Sequence, residues 1–319
     1  MNSRVNTKLL FSFFLFICIY VFFNSCSLSQ KNIRVSQASY CAPPNPYRYD
    51  STYLPLTDIM PILKHDSLLT YKYSYQDLLI ANAAGTLLLL QDVIHLEQMK
   101  NTDNLVYILF KKQQIFNRLL LASTEVASLA AELDCESERS KQLGTYLDQI
   151  NDDRVQRLTI ISVITGAATA IGTSVIKNNK AQIAVGVSGS IISAAFGGLA
   201  AFSSHKAIIF KHKRNLLADI WFENKISTNY PPFIWYILNE KEFTNSREYS
   251  SIHNLKERWF EQGLIDTTKN KKQLDLYFGV GGKYNADDFH TRTSMLNQLK
   301  AEVRSVNQNL QSLMLKLSI

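Results

Sequence analysis

Glycine and proline are scarce, 12 and 7 in 319 residues, which excludes collagen-like, low-complexity and proline-rich disordered chains. Cysteine numbers only four, too few for a disulfide-dense scaffold, and no paired-cysteine spacing for zinc occurs. The six histidines (His65, His95, His205, His212, His253, His290) contain no HExxH pattern. No Gly-x-Ser-x-Gly elbow is present. The acidic pairs Asp152/Asp153 and Asp287/Asp288 are adjacent, so on a helix they point to different sides and do not oppose one another as acid and base. Gly279-Val-Gly-Gly-Lys283 lacks the spacing of a phosphate loop and carries Tyr284 where a Ser or Thr would bind the metal, so it is expected to be a structural turn. These absences predict a protein that is not an enzyme and holds no cofactor and no metal.

Charge is missing from two long runs, Leu158 to Ile176 and Ala181 to Phe202, joined by Lys177-Asn-Asn-Lys180. At about 1.5 Å per residue each would extend roughly 30 Å as a helix, the hydrocarbon thickness of a bilayer. So short a connection makes the two helices antiparallel neighbours. Small residues recur every fourth position: Ser162, Gly166, Ala170 and Ser174 in the first run, Gly186/Ser190/Ala194/Gly198 and Gly189/Ser193/Gly197/Ala201 in the second. Such ridges allow the close approach by which helices pack in lipid, giving a glycine-zipper-like hairpin. The chain is basic, with a formal charge of +7, but the cations gather beside these runs: Arg154, Arg157, Lys177, Lys180, Lys206, Lys211, Lys213 and Arg214. That placement points to a membrane border and away from nucleic acid. His205 and His212, seven apart on an expected helix, would add charge there on acidification.

The first residues read as a targeting segment. Arg4 and Lys8 precede an uncharged apolar stretch, Leu9 to Phe23. Phe22-Phe-Asn-Ser25-Cys26 resembles a bacterial lipoprotein signal, which implies a lipid on Cys26, although Phe23 and Asn24 depart from its usual small and aliphatic residues. An uncleaved anchor and ordinary cleavage are the other readings. Cys41 and Cys135 remain as a pair that export to an oxidising compartment would let bridge, against two unrelated thiols.

Residues 26–71, with most of the prolines, read as a tether containing one short helix. From Ser74 the pattern is helical: Leu79, Leu89, Val93 and Leu96 mark one face through Lys100, and Asn101–Asn104 supplies a break. Ile115, Leu119, Ala122, Val126, Leu129 and Leu133 alternate spacings of four and three, and Leu143, Leu147 and Ile150 resume the register. No proline follows Asp103 until well beyond Ile176, so this helix is expected to run into the first apolar run, and the second run into a polar helix from His205 to Phe222. The aromatics around Pro231-Pro232 are expected as core, with short helices near Ser250–Gln262 and Lys271–Tyr277. A last seam, Leu296, Leu299, Val303, Val306, Leu310, Leu313 and Leu317, is built to lie along the Ile115–Ile150 stretch.

The expected fold is all-α: an elongated antiparallel bundle of long, coiled-coil-like helices (72–157 and 205–319) with the apolar hairpin (158–204) at one end, following a signal or anchor (1–25). The expected function is a structural or interaction role for an exported, lipid-anchored protein of the bacterial cell envelope, facing the periplasm or in the outer membrane, or in the inner membrane with an uncleaved anchor. Its partners would be the lipid membrane and, through the heptad helices, a second copy or an envelope protein. In layout alone, residues 74–319 also resemble the alpha-helical pore-forming toxins, which shelter an apolar hairpin until they insert it.

Overall fold

A computed structural model describes residues 41–43, 49–99, 102–202, 206–266 and 271–317. Residues 37–319 form one unit. The targeting segment, Cys26 and His205 lie outside the described residues.

The unit is all-α and elongated, organised along one helix of 71 residues, α5 (Leu105–Val175). Before it come α1 (Met60–His65), α2 (Ser67–Lys72), α3 (Tyr75–Ala83) and α4 (Leu87–Gln98). After it come α6 (Asn179–Ala201), β1 (Ile208–Lys211), α7 (Leu216–Phe222), α8 (Pro232–Asn239), α9 (Ser251–Glu261), α10 (Lys271–Phe278), β2 (Gly281–Tyr284) and α11 (Ala286–Leu317).

The heptads dictate the main packing. Every seam residue of α11 from Leu296 to Leu317 is buried, as are Ile115, Leu119, Ala122, Val126, Leu129, Leu133 and Leu147 of α5. The pair is antiparallel: Ser137 Oγ donates to Asn297 Oδ1 at 2.8 Å, and Asp148 Oδ2 lies 2.8 Å from His290 Nε2. Between Leu133 and Leu147 the seam departs from the expected Leu143. Ser137, Ser140 and Gly144 are buried there. At Gly144 an added Cβ would lie 2.9 Å from the His290 ring and push it aside. Smaller side chains let α11 approach closely where a leucine would hold it away.

Four expectations are corrected. The stretch read as a tether contains α1 and α2, pinned by buried Ile59, Leu63 and Leu69, and Asp66 caps α2 by accepting from Leu68 N and Leu69 N at 3.1 and 3.2 Å. The helix read from Ser74 through Lys100 is two, because Gly85 takes φ +63 with no room for a Cβ, which would lie 2.7 Å from Thr52 O. The polar helix expected from His205 to Phe222 is confined, among the described residues, to α7. Residues Ile208–Lys211 instead pair antiparallel with Gly281–Tyr284, Phe210 opposite Gly282. The glycine turn is consequently strand β2, entered through Gly281 at φ +87. The aromatic set packs mainly inward, with Tyr230, Phe233 and Trp235 buried and Trp221 stacked on Phe278 at 4.4 Å, whereas Phe222 is exposed.

Cys41 and Cys135 are joined by a disulfide that fastens the start of the described chain to α5 and closes a separation of 94 residues.

Candidate functional site

The apolar hairpin stands clear of the bundle. Beyond Asp148 no bundle helix covers α5: Asp152 through Arg157 are exposed, and Lys206 N donates to Asn151 Oδ1 at 2.9 Å where the returning chain meets the same level. From Leu158 onward, α5 packs on α6. The turn between them is Ile176–Asn178, shorter than the sequence implies, because Asn178 caps α6 by accepting from Lys180 N at 3.1 Å and Ala181 N at 3.3 Å.

The two helices meet along a seam different from the ridges read in the sequence. Ser162, Thr165, Gly166, Thr169, Gly172 and Thr173 of α5 face Val185, Gly186, Gly189, Ser193 and Gly197 of α6. Ala170, Ser174, Ser190, Ala194 and Ala201 are exposed on the outside. The reason is geometric. Four residues turn a helix by about 400°, so a strict every-fourth ridge drifts about 40° per step and leaves the contact within three steps. Steps of three and four hold one face. Gly198 accordingly meets nothing within 4 Å, whereas a Cβ on Gly189 would overlap Thr169.

Polar groups inside the hairpin are matched within it. Ser162 Oγ donates to Ser193 O at 2.8 Å and Ser193 Oγ to Ser162 O at 2.9 Å, a reciprocal pair linking the helices. Thr159, Thr165, Thr169 and Ser188 donate to carbonyls four residues back, Ser190 does likewise, and Thr173 and Ser174 donate three residues back. Every serine and threonine hydroxyl from Leu158 to Phe202 therefore has an acceptor on α5 or α6. The large side chains turned outward are apolar, chiefly Ile and Val, among the exposed alanines and Ser174, Ser188 and Ser190: Val163 is 65% exposed, Ile171 66%, Ile183 66% and Ile191 63%. Both helices are long and apolar enough to cross a membrane, and their apolar windows are almost wholly uncovered.

The cations split into two groups. Lys177 and Lys180 stand at the tip and Arg154, Arg157 and Lys206 at the base, bracketing the apolar length. Lys211, Lys213 and Arg214 do not belong with them. β1 carries the chain back along the bundle at roughly 3.3 Å per residue, so Phe210 lies beside Arg139, about 28 Å along α5 from Leu158. Arg214 Nε there meets Glu132 Oε1 at 3.1 Å. His212 is on this ribbon, its Nε2 2.8 Å from Tyr284 Oη. Burial, then the charges of Arg292 and Arg139, push its pKa down to about 2, so it supplies no acid-triggered charge at a membrane border.

This buried polar group was missed in the sequence, yet two spacings mark it. Glu125, Glu132 and Arg139 recur every seven residues on α5, and Arg292 takes the seam position four before Leu296; all four are buried. Burial lifts Glu125 and Glu132 to about 7, the latter against the pull of Arg214. Among the described residues, no cluster of His, Cys, Asp and Glu has the makings of a metal site.

Comparison with protein-family models, curated proteins and solved structures found no match to the chain.

Proposed function

We propose that the protein is a membrane-associated helical protein whose hairpin, Leu158 to Phe202, is embedded in a bilayer while the bundle serves as a rigid structural or interaction module beside it. One observation carries this reading: the hairpin turns isoleucine and valine outward and matches each of its hydroxyls, inner or outer, to a backbone carbonyl of its own two helices. Water would favour the reverse. Hydrocarbon demands this arrangement, because an unmatched polar group costs several kcal/mol there. A sheltered hairpin, as in a soluble pore-former awaiting a trigger, would need its outer faces covered by the bundle, so the embedded reading is preferred. The targeting segment, the lipid expected on Cys26 and the Cys41–Cys135 bridge support an exported, lipid-anchored protein of a bacterial envelope. A second copy or an envelope protein would dock on the helical body.

The test is carbonate extraction of membranes carrying the full chain, with single cysteines at Lys177 and Lys206 labelled from one side. Resistance to extraction, with the tip and base reactive from opposite faces, is expected. Release by carbonate with both positions labelled together would sink the reading. Mass spectrometry of the mature N-terminus tests the lipid separately.

A further inference from the structure

The ribbon β1–β2 and the segment after it close over α5 to leave a small cleft lined by Glu136, Arg139, Lys211, Lys213 and Arg214, with Phe210 and His212 in its wall. Four of these side chains are cationic and one is a carboxylate. Beneath it, Glu132 pairs with Arg214 and buried Arg292 adds another cation, so positive charge stays in excess. Arg139 is held in place, its guanidinium 4.7 Å from the Phe210 ring and 3.6 Å from Glu136 Oε1. Arg214 is held by Glu132 and by the Asn229 carbonyl. Lys211 and Lys213 are exposed and, among the described residues, make no ion pair. Two guanidinium groups, each held by a carboxylate, and two exposed ammonium groups from β1 and the segment after it line one cleft, a combination that favours an oxyanion.

We propose that this cleft binds a small oxyanion of the phosphate, sulfate or carboxylate kind, free in the aqueous compartment, with Arg139 and Arg214 as its floor and Lys211 and Lys213 closing on it. As it stands the cleft holds little more than a water molecule, so an oxyanion seats only as the exposed side chains of Lys211 and Lys213 move apart, and a nucleotide is excluded. A headgroup of the bilayer that holds the hairpin is disfavoured as its source, because Arg139 lies about 28 Å along α5 from Leu158. The inference stands on the ribbon alone and does not require the hairpin to be inserted.

The experiment is titration of the full chain in neutral detergent with inorganic phosphate at constant ionic strength, followed by calorimetry and by the melting temperature. Saturable binding is expected, weakened roughly tenfold or more in Lys211→Ala/Lys213→Ala through the loss of charge-assisted bonds. Lys283→Ala, on the same ribbon but outside the cleft, is expected to bind as the parent does. The proposal is overturned if no saturable phase appears, if both variants bind like the parent, or if chloride acts equally at the same concentrations, which marks an adventitious ion only. A parallel arm adds phosphatidylglycerol to the detergent. If that lipid displaces phosphate at equal concentration, the site takes a headgroup and the free-anion assignment fails.

Discussion

Gly189 sets how closely the hairpin helices can lie, because its missing side chain is the space that Thr169 fills. Gly189→Leu should therefore separate the helices and cost about 1–3 kcal/mol of hairpin stability. Gly198→Leu, projecting into open space, should change little. Thermal unfolding in detergent checks the pair, and equal behaviour of the two would refute the seam. At the other end, Glu125 gives a pH signature. Its carboxyl, beside buried Ala83, Ala122 and Phe233 with Arg118 at the margin, is raised by burial from the ordinary 4.5 to about 7, against a hydrogen bond from Tyr49. Below about pH 4.5 it is neutral in both folded and unfolded chains. Between that pH and 7 only the unfolded chain releases the proton, so stability falls as pH rises and the loss is complete above 7. Glu125→Gln should flatten part of that slope and melt higher at pH 8, by an amount worth roughly 1–3 kcal/mol. Glu132, raised likewise, leaves a residual slope in the variant. Asp77 works oppositely: burial pushes it up, but Lys316 and Ser74 outweigh this and hold it low, so its contribution is lost as pH falls below the usual carboxylate range. A melting curve no flatter in the variant between pH 5 and 8 would count against the burial of Glu125. These residues were hard to read in the sequence because a glutamate in a helical pattern is normally solvated. Only its partners reveal that it is inside.

At the scale of elements, α11 and the middle of α5 were legible because a hydrophobic seam repeating every three and four residues fixes both helix and partner. β1 was not, because Ile208–Lys211 is four residues long and becomes a strand only by pairing with Gly281–Tyr284, a glycine-rich segment with poor intrinsic strand propensity. Non-local pairing of that kind has no periodicity to betray it. The break at Gly85 was visible as a glycine but not as a left-handed one, since Thr52, which excludes a side chain there, belongs to a distant turn. Another long-range tie can be tested directly. The Cys41–Cys135 bridge joins residues 94 apart, and Cys41→Ser/Cys135→Ser should destabilise the bundle by roughly 2–4 kcal/mol. Denaturant unfolding of parent and variant, both in detergent, measures this. An unchanged midpoint would mean that the segment around Cys41 adds nothing to the bundle.

For the molecule as a whole, the hairpin and the bundle follow different burial patterns. The bundle hides its leucines between α5 and α11, whereas the hairpin packs glycines, Ser162, Ser193 and threonines along its seam and shows isoleucine and valine. Because α5 passes through both without a break, the hairpin is carried on a continuous rod, and yet none of the buried core of the bundle comes from residues 158–199 apart from the helix-to-helix seam itself. Excision should thus be tolerated. Replacing residues 152–205 by a short Gly/Ser turn joins positions already close, since Lys206 N lies 2.9 Å from Asn151 Oδ1. The shortened chain is expected to keep the parent's bundle melting temperature within a few degrees and to lose helical circular dichroism in proportion to the residues removed. It should also lose any carbonate resistance that the hairpin provides beyond the N-terminal segment. If excision instead unfolds the bundle, the hairpin is part of its core after all, and the division between a water-facing body and a lipid-facing arm is wrong.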